Sequence, residues 1–181
     1  FKRERAAYVV SQLLGWELVP ETVIAQGPYG IGSFQKWVEA DTELVDIFPP
    51  DQVPENWLLI TRGVTEDGAE VVLAHADSDE LQRLAVFDSI VNNADRKAGH
   101  ILTSEAKQVW AIDHGVTFNV EPKLRTVLWG WLGQDIPDEL TEQVKQLAEK
   151  IDDSEIIELI NDDQLLELKY RISQIVQDKI F

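Results

Sequence analysis

Asn92-Asn93-Ala94-Asp95-Arg96-Lys97-Ala98-Gly99-His100 is a polar block between two apolar stretches, and it is followed further on by Ile112-Asp113-His114-Gly115. Each part has a physical use. A loop carboxylate after a helix, here Asp95, orients an attacking hydroxyl and accepts its proton. A second carboxylate, Asp113, stands at the end of a short apolar run and before a glycine, a place from which it can hold a divalent cation on triphosphate oxygens. Arg96 and Lys97 are candidates for neutralising developing phosphate charge.

Working outward, Asp77 to Val91 reads as a helix with Leu81, Leu84, Ala85, Asp88 and Val91 on one face. Ile101-Leu102 and Val109-Trp110-Ala111-Ile112 flank Thr103-Ser104-Glu105-Ala106-Lys107, so a small hairpin is expected between the two motifs. At the other end of the chain, Ala6, Val9, Val10, Leu13 and Leu14 follow the helical period up to a stop at Gly15. Thr22-Val23-Ile24-Ala25, the turn Gly27-Pro28-Tyr29-Gly30-Ile31-Gly32 and Ser33-Phe34-Gln35-Lys36-Trp37-Val38 read as a hairpin. The acidic, proline-bearing stretch from Glu39 to Glu55 is expected to be a connecting loop, and Asp67-Gly68 a turn before Val71-Val72-Leu73-Ala74. Two amphipathic stripes close the chain: Leu140, Val144, Leu147, Ala148, Ile151, and then Leu165, Leu168, Ile172, Ile175, Val176.

The 181 residues carry a formal charge of −17. Such a surface repels nucleic acid and anionic membranes as a whole. The charge is uneven: the window Val91 to Arg125 holds five basic and four acidic residues, so it is +1 inside a remainder of −18. A local cationic cluster in an anionic protein points to a bound anion such as phosphate, or is scattered surface charge. There is no cysteine, which excludes disulfides, thiol nucleophiles and zinc–thiolate sites. No apolar run approaches the ~18 residues of a membrane span, so stable membrane insertion is not expected. The chain begins Phe1-Lys2-Arg3-Glu4 and has no methionine, from which further residues are expected upstream of Phe1.

Leu84-Ala85-Val86-Phe87-Asp88 through Asn93-Ala94-Asp95-Arg96, followed by Ala111-Ile112-Asp113-His114-Gly115, resembles the catalytic core of phosphatidylinositol 3-/4-kinase-like phosphotransferases. Those enzymes carry Asp-Arg-His-x-x-Asn and then Asp-Phe-Gly. The spacing also resembles that of the HipA-like kinases. Nearly the whole chain resembles an actinobacterial phosphatidylinositol-kinase-like family. The likeness runs through Arg5-Ala6-Ala7-Tyr8-Val9-Val10-Ser11, Leu14-Gly15-Trp16, Val91 to Lys97, Ile112 to Phe118 and Lys123 to Trp131.

The resemblance implies an α+β, two-lobed protein-kinase-like fold. Residues 1–39 would be the remainder of an N-lobe, helix plus hairpin, running into a hinge at Lys36-Trp37-Val38-Glu39, and residues 40–181 a mostly helical C-lobe. It further implies a cytoplasmic, ATP-dependent enzyme using Mg²⁺ or Mn²⁺, with Asp95 as base and Asp113 as metal ligand. Glu4 would pair with an ATP-gripping lysine, and Trp37 and Val38 would line the nucleotide site. His100 stands where these families place a metal-binding Asn. Imidazole suits Mg²⁺ poorly, so His100 binds no metal, or binds a different one, or Asn92 or Asn93 takes the place. Lys97 replaces His in the Asp-Arg-His triplet, and His114 replaces the Phe after Asp113. Two rival readings stand beside the kinase one. The first is a nucleotide-binding pseudokinase, and the second an interaction module whose Trp129–Trp131 segment meets a protein partner. The Gly27–Gly32 turn is an alternative phosphate loop.

Overall fold

The computed structural model describes residues 1–40, 44–104 and 108–181. Asp41 to Glu43 of the expected connecting loop and Glu105 to Lys107 of the expected hairpin turn lie outside these residues. The architecture is α+β. Helix α1 (Lys2–Leu14) precedes strands β1 (Thr22–Gly27) and β2 (Gly30–Gln35), then β3 (Val45–Phe48), β4 (Trp57–Val64) and β5 (Glu70–Ala76). Helix α2 (Asp79–Val91) leads to β6 (Ile101–Thr103) and β7 (Val109–Ala111), and α3 (Asp138–Lys150), α4 (Ile156–Leu159) and α5 (Asp162–Asp178) end the chain.

The helices form where period and caps agree. Helix α1 buries Ala6, Ala7, Val9, Val10 and Leu14, and Gly15 ends it in the left-handed conformation at φ +71°. Helix α2 starts on Ser78, whose hydroxyl accepts from the Leu81 amide, with Asp79 and Glu80 favoured by the helix dipole in the first turn. It stops at Asn92, also left-handed. A reciprocal cap between Asn161 and Gln164 starts α5. Of the expected stripe on α3, Leu140, Val144 and Leu147 are buried and Ile151 follows them inward, whereas Ala148 faces solvent.

Among the described residues there are three small sheets. β1 and β2 form the expected antiparallel hairpin, as do β6 and β7. The third sheet has the order β3-β5-β4, all antiparallel, with a register shift between Leu59 and Thr61. Its β4–β5 turn falls at Asp67-Gly68 as expected, with Gly68 at φ +88°. The stretch expected to be a loop from Glu39 to Glu55 instead contains β3. Val45 is buried, and the strand pairs with β5 through Val45–His75 and Phe48–Val72. The prolines flank this strand, and Asp46 lies within it, paired with Ala74.

One buried cluster runs from Ala6 and Val10 of α1 through Leu84, Phe87 and Ile90 of α2 to Val144, Leu147, Leu168 and Ile172 of the C-terminal helices. Fully burying a side chain of this size contributes about 1.5–3 kcal/mol. Segments 1–39 and 40–181 both contribute to this cluster, and no separate core marks the boundary between them. Among the described residues, no helix is long and apolar enough to cross a membrane.

Candidate functional site

A buried ion pair builds the loop that carries the sequence candidates. Asp88, on the inward face of α2, has no exposure, and neither does the Arg96 guanidinium that meets it at 2.9 Å. Asp88 also accepts from Asn93 Nδ2 at 3.0 Å and from the Thr126 hydroxyl at 3.2 Å. Arg96 spends its remaining donors on the Ile112 carbonyl, 2.8 Å away, and on His114 Nε2, also at 2.8 Å. A guanidinium so enclosed and so fully bonded cannot face a phosphate. The expected charge-neutralising role of Arg96 is therefore corrected: it ties the Asp95 loop to the Asp113 turn.

The asparagines are committed too. Asn92 donates to the carbonyls of Asn119 and Glu121, and its oxygen accepts from the Lys123 amide. Asn93 bonds Asp88, and its oxygen accepts from the Asp95 amide. Both are buried. Neither side chain is free to replace His100 as a ligand, which removes that alternative. The backbone completes the clamp: Arg96 N–H donates to the Arg125 carbonyl and Arg125 N–H to that of Asn93. Arg171 of α5 donates to the carbonyls of Ile90 and Asn119, and burial pulls its guanidinium down to about 10.

On this frame the remaining candidates sit together at the surface. Lys97 Nζ meets Asp95 at 2.8 Å, with both side chains open to solvent. The ammonium holds the Asp95 carboxyl below the usual carboxylate range, and Asp95 in turn raises Lys97. His100 Nε2 lies 3.4 Å from Asp113 Oδ2. The charge of Asp113 adds slightly to the raising of Lys97, which places the two carboxylates near each other. Asp113 adopts the left-handed conformation at φ +59°, uncommon for a residue other than glycine. Glu4 reaches this turn from α1: its Oε2 accepts from the His114 amide at 3.0 Å. Burial raises the Glu4 carboxyl, the His114 amide bond opposes that, and the Asp113 charge adds to it.

His114 is wholly buried. Because Arg96 donates to Nε2, the ring proton belongs on Nδ1. Burial, then the charges of Arg96 and His100, pushes its pKa well below the imidazole range.

Trp37 and Val38 are not gathered into this group. Trp37 is 81% exposed, its indole donating to Glu39. A mainly apolar cleft of about 350 Å³ begins beside them, lined by Ala40, Val45, Asp46, Ile47, Leu73, Ala98, Gly99, Ile101 and Leu102. It runs along the residues flanking His100, and neither Trp37 nor Val38 is among its described walls. The Trp129–Trp131 segment divides: Trp131 is 2% exposed and bonds Asp77, so of the two only Trp129, at 38%, is open to a partner. The Gly27–Gly32 turn is the tip of β1–β2, with Tyr29 fully exposed.

Among the described residues, no group of three or more His, Asp or Glu side chains is placed to hold a metal ion. The donor set at hand is the exposed Asp113 carboxylate with one imidazole beside it. That set does not fit a cation caged by protein.

Sequence reasoning missed Asp88 as the organiser, although its signal was present: a carboxylate on the apolar face of a helix. The chain is 47% identical over 160 residues to Protein Rv2133c of Mycobacterium tuberculosis (strain ATCC 25618 / H37Rv), a match covering 82% of this chain and 58% of that protein. The chain thus spans less than two thirds of that relative's length. No family model matches the chain, and no solved structure matches it.

Proposed function

We propose that this chain belongs to an ATP- and metal-dependent phosphotransferase of protein-kinase-like fold that acts on a hydroxyl acceptor. The carrying observation is that two solvent-facing carboxylates, Asp95 paired with Lys97 and Asp113 beside His100, stand on loops fixed from below by Asp88 and Arg96. The polar loop after α2, the β6–β7 hairpin and the Asp-x-Gly turn follow one another in the order the family resemblance implies. In this reading residues 1–39 complete the rear of an N-lobe and residues 40–181 form the C-lobe.

Asp95, kept ionised by Lys97, orients the acceptor hydroxyl and takes its proton as the oxygen attacks the terminal phosphorus. The bond from that phosphorus to the bridging oxygen breaks, and ADP leaves. Lys97 offsets charge on the transferred group. Asp113 would hold Mg²⁺ or Mn²⁺ with the polyphosphate, and that cation neutralises phosphate charge when bound. The acceptor is a hydroxyl on a small molecule, a lipid head group or a protein. We assign the activity to the cytoplasm, where ATP is available.

The test is phosphotransfer and ATP hydrolysis by the full-length protein with Mg²⁺ or Mn²⁺, beside the Asp95→Asn variant. Turnover lost in the variant with nucleotide affinity retained supports the reading. A second reading rests on the His100–Asp113 contact, which engages the carboxylate that a cation needs. It is a nucleotide-binding protein without turnover, and tight ATP binding with no phosphotransfer favours it.

A further inference from the structure

Glu4 is conspicuous for what it touches. Its carboxylate sits between the backbone and the side chain of the residue after Asp113. Oε2 accepts from the His114 amide at 3.0 Å and lies 3.9 Å from His114 Nδ1. That Nδ1 is buried and has no hydrogen-bond partner. A Cβ built on Gly115 would stand 3.4 Å from Glu4 Oε1 and 3.9 Å from Asp113 Oδ1, so the two carboxylates border the same small space over Gly115.

We propose that Glu4 is a positioning residue that holds Asp113 in its left-handed turn through the His114 amide. The proposal rests on the reading of Asp113 as the cation-bearing carboxylate.

Three facts carry it. First, Asp113 needs holding. Aspartate tolerates positive φ better than most residues with a Cβ, but still favours other conformations unless its neighbours fix it. Second, both neighbours are fixed by groups from elsewhere in the chain. Arg96 holds the Ile112 carbonyl at 2.8 Å, the His100 carbonyl holds the Ile112 amide at 3.0 Å, and Glu4 holds the His114 amide. Third, Glu4 is itself fixed. Helix α1 is bound to the C-terminal helices by the Arg5–Glu155 ion pair at 2.6 Å and by Lys2 and Lys150 bonds to backbone carbonyls, with Ala6, Ala7 and Val10 buried beneath it. The unpartnered His114 Nδ1–H gives the carboxylate a second nearby donor on the same residue.

The roles separate by chemistry. A backbone amide needs only an acceptor oxygen of the right reach, whereas a lysine partner or a metal ligand needs the negative charge. Glu4→Gln keeps an oxygen at the same length. Glu4→Asp keeps the charge and withdraws it by one methylene. Hydrogen exchange of the His114 amide in the full-length protein, without nucleotide, reads the bond itself. We expect exchange in Glu4→Gln within about threefold of the parent protein, and about tenfold or more faster in Glu4→Asp and Glu4→Ala, the size of one lost hydrogen bond. Mn²⁺ titration with ATP, followed by the electron paramagnetic resonance of free Mn²⁺, reads the consequence. Glu4→Gln should bind within about threefold and the other two about five- to tenfold more weakly, from the same lost hydrogen bond.

Equal weakening in Glu4→Gln and Glu4→Ala with His114 exchange unchanged would overturn the proposal, since charge and not reach would then matter. So would unchanged exchange in Glu4→Asp, which guards against an unfolded alanine variant. If the parent protein binds no Mn²⁺ with ATP, the phosphotransferase reading of Asp113 fails, while the exchange series still decides whether Glu4 holds the turn.

Discussion

Asp95 and Arg96 are neighbours in sequence and belong to opposite kinds of ion pair. Arg96 meets Asp88 with both side chains shut off from water. Asp95 meets Lys97 with 47% and 62% of the two side chains exposed. The distances are nearly the same, 2.9 and 2.8 Å, so distance says nothing about what each pair does. Surroundings decide. The buried pair has additional bonds to Asn93, Thr126, Ile112 and His114, so removing one partner strands a charge. The open pair is screened by solvent and can exchange its partner for a substrate group. One sets the shape of the loop, and the other is left available for chemistry.

The largest break in this comparison comes from the buried side. Asp88→Ala, which leaves Arg96 without its carboxylate, should cost about 3–5 kcal/mol of stability. Urea denaturation would show it as a large fall in midpoint; a small change would mean that the pair is not a buried organiser. On the open side, Asp95→Asn should leave the urea midpoint unchanged and lower the phosphotransfer rate of the full-length protein by about 10²–10⁴. Near-normal turnover would remove Asp95 from the mechanism.

Next in size is pH. His114 beside Arg96 and His75 beneath Gly130 are both buried and pushed below the ordinary imidazole range, in each case first by loss of solvent. The unfolded chain protonates them near 6.5 and the folded chain resists. Their contribution to stability is therefore complete above about pH 6.5 and is lost as pH falls below it, by up to about 1.4 kcal/mol per pH unit for each. Glu4 runs the other way. Its carboxyl is raised, so folding favours its protonated form and acid relieves that strain, one group against two. The urea midpoint should fall between pH 7.5 and 5.5; a flat profile would mean that the two rings are not buried uncharged.

The smallest effect belongs to Lys97→Ala. We expect no shift in unfolding midpoint. The Asp95 carboxyl should rise back toward its ordinary range, because the Lys97 hydrogen bond is the first cause of its lowering. Carboxyl carbon resonances followed through a pH titration would register this, and an Asp95 value unmoved by the variant would contradict the pairing.

The same contrast explains what was legible in the sequence. Helices α1, α2, α3 and α5 announce themselves because period, caps and glycine stops are local. The β1–β2 and β6–β7 hairpins are equally local. Strand β3 hides among acidic residues and prolines, since its partner β5 begins more than twenty residues later and nothing nearby records the pairing. At the site, Asp95, Lys97, His100 and Asp113 were legible as chemical types at suggestive spacing. Arg96 was misread because a basic residue next to a candidate base looks like a phosphate contact. Only the fold shows that its side chain turns inward to Asp88, eight residues earlier on the face of α2 that packs into the core. The commitment of Asn92 is invisible for a similar reason: its partners lie in the irregular stretch from Val116 to Leu128.

That stretch has a kinetic consequence. Asn92 bonds residues 27, 29 and 31 positions away, and Asp88 bonds one 38 positions away. A loop of this length must close before any of these bonds forms, and the entropy of closure comes first. Local helices have no such wait, and contacts of long sequence separation slow folding. The Asp95 loop should thus take shape after helix α2, which leads into it. In a refolding experiment, helical circular dichroism should return before the amides of Asp95 and Arg96 become protected. A protease cut between Val116 and Leu128 would then release the loop while leaving α1, α3 and α5 assembled.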